Sequence, residues 1–184
     1  DISGLKRPLR LHQEDFAQAL GISPDRKYEE EGDAFLRKMF TVIRSHCTDP
    51  VKDSIRLWDM LMFDLLIGNT DNHIKNFSLL YSASMRSVSL APAYDIVSTT
   101  LYPAGTRRLA IFLGGARTID EVDRSALEQA ASQAGLGRKM AVTRFLKLRE
   151  KFHSTLLQSA IELSQMGFPS AMSLYKKILE NGIS

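Results

Sequence analysis

The chain has 184 residues, 44% of them apolar, which is enough for one well-buried core and too few for two comfortable domains. Its formal charge of +3 is spread over short pairs such as Arg107-Arg108 and Arg138-Lys139, less than a dedicated nucleic-acid domain clusters on one face. Cys47 is the only cysteine, which excludes an internal disulfide, and the longest apolar stretch, Met60 to Ile67, is interrupted by Asp64 and far too short to cross a bilayer.

In chain order, Gln13 to Leu20 predicts a short amphipathic helix closed by Gly21, whose missing side chain suits a left-handed cap. Asp33 to His46 predicts a second helix, with Phe35, Leu36, Met39, Phe40 and Ile43 facing inward at three- and four-residue spacing. Asp49 and Pro50 supply an N-cap and a first-turn proline for a third helix that runs to Ile67 and stops at Gly68. Ile55, Trp58, Leu61, Met62, Leu65 and Leu66 cover much of its circumference, which marks it as the central buried helix.

Phe77 to Tyr81 and Ser87 to Leu90 alternate like strands around the turn Ser82 to Arg86. Leu109 to Leu113 and the residues after Gly114-Gly115 predict a second small hairpin. Asp123 caps a helix through Ala134, Gly135 and Gly137 break it, a long helix runs from about Lys139 to Met166, and Pro169 begins a last one. The sum is mainly α with small β-hairpins, an α+β fold in a single unit over residues 1–184, without repeat, low-complexity tract or linker.

The most informative run is Gly68-Asn69-Thr70-Asp71-Asn72-His73-Ile74-Lys75-Asn76-Phe77, followed nineteen positions after Asn76 by Asp95 in Ala93-Tyr94-Asp95-Ile96. An Asn/Asp/Gly cluster after an apolar run is ordinarily a helix stop and turn, because these side chains favour local backbone hydrogen bonds. Four polar groups in register, a hairpin and a second Asp go beyond that. Phosphoryl transfer needs a carboxylate that orients and deprotonates an attacking hydroxyl, plus oxygen ligands that hold magnesium on nucleotide phosphates. In protein kinases the base and the metal-binding Asn stand five residues apart on one loop, the separation of Asp71 and Asn76, and a hairpin would bring Asp95 back beside Asn76. Asp71 is therefore the candidate base, and Asn76 and Asp95 are the candidate magnesium and nucleotide ligands. Lys75 is a candidate for neutralising phosphate charge, and His73 for bracing the loop. Tyr94 and Phe77 are expected to pack and fix the loop and the metal Asp. The four histidines show no zinc-ligand spacing.

The segments Asn69-x-Asp71-x-His73-x-Lys75-Asn76-Phe77-Ser78 and Ala91-Pro92-Ala93-Tyr94-Asp95-Ile96, with Leu11-x-Gln13-Glu14-Asp15 and Lys27-Tyr28-Glu29 upstream, resemble the C-terminal lobe of HipA-type serine/threonine kinases. These are the toxin halves of bacterial toxin–antitoxin pairs. The resemblance runs from about the first residues to at least the region after Gly114-Gly115. It implies a protein-kinase-like C-lobe, ATP and Mg2+ as cosubstrates and a protein acceptor, with an aminoacyl-tRNA synthetase as the family's suggestion. It also implies a HipB-like helix-turn-helix antitoxin as partner, with DNA met only indirectly through it.

The chain has no G-x-G-x-x-G or Walker-A run, and Gly114-Gly115 lies after the metal Asp. In the family the phosphate-covering loop, its Lys and the adenine hinge precede the segment matching Asp1, so the chain is expected to be a C-lobe cut from its N-lobe and inactive without it. Asp1-Ile2-Ser3 has neither initiator Met nor export signal, and a reducing cytoplasm is the simplest compartment. Ile96 to Arg108 takes the place of a kinase activation segment, but Asp95 is followed by Ile96-Val97 instead of Phe-Gly, and Asp71 is preceded by Thr70 instead of Arg, which removes the usual partner of an activating phosphate. Ser98, Thr99 and Thr100 carry hydroxyls, and nothing singles one out. Two other classes stay open: a noncatalytic partner-binding module, either pseudokinase or fragment, and a small-molecule phosphotransferase.

Overall fold

The computed structural model of the chain describes residues 10–183, so the Asp1-Ile2-Ser3 start lies outside the described residues. Among the described residues, six α-helices and two small antiparallel sheets make up the fold, which agrees with the α+β expectation. Helix α3 (Pro50–Ile67) is its axis. The Asp49 carboxylate accepts the Lys52 amide at 3.0 Å, Pro50 opens the first turn, and Gly68 closes the last at φ 71, a left-handed angle that costs a residue without Cβ nothing. Leu57, Trp58, Leu61, Met62, Leu65 and Leu66 are buried, whereas Ile55 is only half-covered.

Helix α2 (Phe35–His46) and helix α5 (Arg138–Gln165) pack on α3. Trp58 is fully buried and its indole N–H donates to the Ala141 carbonyl at 3.2 Å, while Arg144 grips Asp59 with Nη2 2.7 Å from Oδ2. Helices α4 (Arg124–Gln133) and α6 (Ala171–Asn181) flank α5. The Asp123 cap and the break at Gly135 fall where the sequence puts them, and α6 starts two residues after Pro169.

The first sheet orders β1 (Gln13–Asp15), β2 (Ser78–Tyr81) and β3 (Val88–Leu90), and the second pairs β4 (Arg108–Leu113) with β5 (Ala116–Thr118). Both expected hairpins form. The expected helix over 13–20 does not: Gln13, Glu14 and Asp15 pair with Leu80, Leu79 and Ser78, and only one turn, α1 (Phe16–Ala19), remains. Asp15 ends the strand and caps that turn, accepting the Gln18 amide at 2.9 Å while the Gln18 side chain returns to the Asp15 amide at 3.0 Å. Gly21 does take a left-handed φ of 64.

Helix α2 also starts two residues later than the sequence predicts, because Asp33 spends its carboxylate on the Glu30 amide and Arg26. Its first-turn donor is met from elsewhere. Buried Glu29 accepts the Phe35 amide at 2.9 Å with one oxygen and the Phe112 amide of β4 at 2.6 Å with the other. Burial pushes the Glu29 carboxyl above its ordinary range, and these two amides partly offset that.

Candidate functional site

Gly68 releases the chain from α3 into a loop that is tied down at every step. The Asn69 amide donates to the Asp64 carbonyl and the His73 amide to the Asp71 carbonyl, both at 2.8 Å, and a single 3-10 turn covers Ile74–Asn76. Ile74 and Phe77 are fully buried and anchor the far end of the loop in the core. The expected packing role of Phe77 holds. Tyr94 is different: it is exposed, and it fixes the loop with its hydroxyl, which donates to the Lys75 carbonyl at 2.8 Å and pairs with the Ser78 hydroxyl.

Asn76 turns its Nδ2 onto the Asp71 carbonyl at 3.1 Å, which leaves its Oδ1 as a free acceptor. The half-buried Asp71 carboxylate accepts the Tyr28 hydroxyl at 2.9 Å through Oδ1. His73 is buried with its ring edge-on to Tyr28 at 5.6 Å, and its Nδ1 has no hydrogen-bond partner among the described residues. Burial first, and the Lys27 ammonium second, push the His73 pKa below its ordinary value, which favours the uncharged ring. Among the described residues the half-buried Lys75 side chain forms no ion pair.

Asp95 lies on an exposed strip, and its own backbone is left-handed at φ 56, a region where Asp is tolerated more readily than bulky residues. Its carboxylate accepts no hydrogen bond among the described residues, whereas its carbonyl accepts Asn69 Nδ2 at 3.4 Å. Tyr94 and Ile96, the neighbours of Asp95, line one cavity of about 240 Å³ together with Asn76, Asn72, Asn69 and Asp64. On the other side of the loop a cavity of about 350 Å³ is lined by Asp71, Tyr28, Thr70, Thr106, Glu30 and Arg108. The loop thus presents Asn76 to one hollow and Asp71 to another. A larger cavity of about 680 Å³, beside Arg138 and Lys147 of α5, includes none of these residues.

Several participants escape a reading of the sequence. Tyr28, quoted there only as part of a motif, touches Asp71 from 43 residues away. Asp64, noticed only as a break in an apolar stretch, is 6% exposed and accepts Asn69 Nδ2 at 2.9 Å and Asn72 Nδ2 at 3.3 Å. Burial raises its pKa to about 6, the two amides pull the other way, and the Asp95 charge adds to the rise. The usable signal was the acid itself, since a carboxylate on the buried face of a helix needs partners. Thr99 is the third: its hydroxyl accepts the Thr70 amide at 2.8 Å and donates to the Gly68 carbonyl at 3.2 Å.

Residues 1–156 match the family model of the HipA-like C-terminal domain, and the chain belongs to that family. It is 34% identical over 162 residues to the Sinorhizobium fredii protein named "Putative kinase Y4mE", a match covering 88% of this chain and 38% of that one. It is 29% identical over 180 residues to the "Serine/threonine-protein kinase toxin HipA" of Shewanella oneidensis, covering 89% of this chain and 40% of that protein. Among solved structures, a chain from the Shewanella oneidensis HipA, HipB and operator DNA complex superposes with a TM-score of 0.81 at 22% identity, over 98% of this chain and 45% of that chain. The chain therefore spans about two fifths of the length of the curated relatives it matches. No helix among the described residues is long and apolar enough to cross a membrane.

Proposed function

We propose that the chain is the catalytic lobe of an ATP- and magnesium-dependent serine/threonine protein kinase of the HipA toxin type, which transfers the γ-phosphoryl group to a hydroxyl of a protein acceptor. The observation that carries this reading is the Asn76 Nδ2 bond to the Asp71 carbonyl. It ties a free carboxylate oxygen and a free amide oxygen to one loop, each beside its own cavity. Asp71 accepts and orients the acceptor hydroxyl, as it already does the Tyr28 phenol, and takes its proton as the phosphoryl group moves.

The donor chemistry fits magnesium: Asn76 Oδ1 and the Asp95 carboxylate are hard oxygen donors without competing partners among the described residues. No group of three or more His, Cys, Asp or Glu converges among the described residues; Asn76 and Asp95 would hold the cation, with nucleotide phosphates and water as its remaining ligands. The bound cation supplies charge neutralisation on the phosphates. Lys75, without an ion pair among the described residues, adds positive charge at the loop, and His73 braces it through Tyr28. The solved HipA relative sits in a complex with HipB and operator DNA, which supports a helix-turn-helix antitoxin as partner here, with DNA reached through it.

The test uses the full-length gene product with radiolabelled ATP and a lysate of its own source as acceptor. Asp71→Asn keeps the shape and removes the base, so transfer to protein falls by about 10² to 10⁴ while magnesium–nucleotide affinity changes little. Transfer at the wild-type rate would make Asp71 an ordinary turn residue.

A further inference from the structure

Beneath the loop lies a polar cluster to which the proposed chemistry assigns no step. Asp64 is in the last turn of α3, buried, and without a cationic partner among the described residues. Such a carboxylate is costly to bury, and ending the helix does not require it, because Gly68 already closes α3 with its left-handed φ and its amide donates to the Leu65 carbonyl at 3.2 Å. What the carboxylate does is hold two amides. Oδ1 takes Asn69 Nδ2 and Oδ2 takes Asn72 Nδ2, so the residues on both sides of the Thr70-Asp71 pair hang from one side chain. Asn69 Nδ2 also reaches the Asp95 carbonyl, which carries the connection across to the exposed strip.

Asn72 shows which contact sets the geometry. With Nδ2 turned to Asp64, its Oδ1 is buried without a donor among the described residues, an arrangement that only an acceptor as strong as a carboxylate justifies. The three side chains form part of the wall of the cavity into which Asn76 faces.

We propose that Asp64 is a positioning residue: through Asn69 and Asn72 its carboxylate locks the Asp71 loop and the backbone of Asp95 into one unit. The kinetic consequence rests on the kinase reading above, whereas the mechanical one does not. Losing the tether lets Asp71 and Asp95 drift relative to each other, which affects turnover more than nucleotide binding.

The experiment compares the full-length wild type with Asp64→Asn, Asn72→Asp and the double exchange Asp64→Asn/Asn72→Asp. It reads backbone amide exchange at positions 69 and 70, whose amides are hydrogen-bonded in the fold, and the amide NMR signals of Asp95 and Ile96, without ligand, and kcat and KM with magnesium–ATP. Asp64→Asn sets one amide against another, and Asn72→Asp sets two carboxylates together. The double exchange moves the carboxylate across the contact and restores a donor to each acceptor.

In both single variants exchange at positions 69 and 70 rises by about tenfold or more, the Asp95 and Ile96 amide signals shift or broaden, kcat falls by about tenfold or more, and KM for ATP moves by less than about threefold. The double exchange recovers at least half of each loss on a logarithmic scale. Wild-type exchange in Asp64→Asn, or a double exchange no better than its parents, overturns the proposal. If Asp64→Asn does not fold, Asn69→Ala leaves the buried acid in place and removes both its bond to residue 69 and the link to the Asp95 carbonyl, and unchanged exchange at positions 69 and 70 with unchanged Asp95 and Ile96 signals overturns it equally. A wild type that protects the loop yet transfers no phosphate defeats the kinase reading and leaves the exchange result to decide the positioning role.

Discussion

Replacing Asp64 by Asn should change how the stability of the fold depends on pH. In the unfolded chain the Asp64 carboxyl titrates near 3.8, and in the fold burial holds it up to about 6. Between those values the native state keeps a proton that the unfolded chain has released, so stability falls as pH rises through this window. A separation of about two pH units at about 1.4 kcal/mol per unit is worth about 3 kcal/mol, present below pH 4 and lost by pH 7. Two other groups bend the wild-type curve. Glu29, also raised, has the same sign, and His73, lowered, has the opposite one, adding stability as pH rises toward its ordinary value of 6.5 and none beyond it. The comparison that isolates Asp64 is the wild type minus Asp64→Asn. Urea unfolding of both at a series of pH values from 4 to 7 gives that difference, which should shrink or reverse by about 3 kcal/mol across the range. A flat difference would refute the reasoning, because burial would then not hold the Asp64 carboxyl above its ordinary value.

In the full-length protein, Asp95→Ala should weaken magnesium–nucleotide binding more than Asn76→Ala does, since a carboxylate brings full charge to a hard cation and an amide brings only a dipole; calorimetry with magnesium–ATP measures both. Tyr28→Phe removes the phenol from Asp71 at a side chain that is 46% exposed, so thermal stability should change by less than about 1 kcal/mol while phosphoryl transfer slows by about threefold to tenfold. An unchanged rate would leave the phenol as a bystander. Trp58→Ala empties a fully enclosed site and removes the indole bond to the Ala141 carbonyl, and should cost about 3 to 5 kcal/mol in urea unfolding.

Helix α3 was legible end to end because each of its signals is local: Asp49 and Pro50 at one end, Gly68 at the other, and an apolar surface between. The hairpin of β2 and β3 was legible for the same reason, as was the spacing of Asp71 and Asn76 within one loop. What escaped depends on partners distant in sequence. Gln13 to Asp15 has the pattern of a helix until Ser78 to Leu80 offers it a strand edge, and backbone pairing then overrides propensity. Glu29 shows no sign in sequence that it joins α2 to β4, since one of its two amide donors is 83 residues away. Tyr28 and Asp64 had visible residue types but hidden neighbours, and the neighbours define what they do.

Thr99 has a consequence for any control of this lobe. In many kinases the stretch after the metal Asp is a movable arm, ordered or released by a phosphate. Here that arm is sewn into the loop from beneath: the Thr70 amide ends on the Thr99 hydroxyl, the Thr100 amide ends on the Gly68 carbonyl, and the Thr70 hydroxyl ends on the Thr106 carbonyl at 2.6 Å. Swinging the arm outward would open these bonds, with that of the Thr99 hydroxyl to the Gly68 carbonyl, and expose the close approach of Thr100 to Gly68, where a Cβ would lie 2.2 Å from the Thr100 hydroxyl oxygen. The arm and the loop therefore rise or stay together. A signal acting on residues 98–106 would dismantle the loop after Gly68 itself, leaving no resting state in which a finished loop waits behind a closed door.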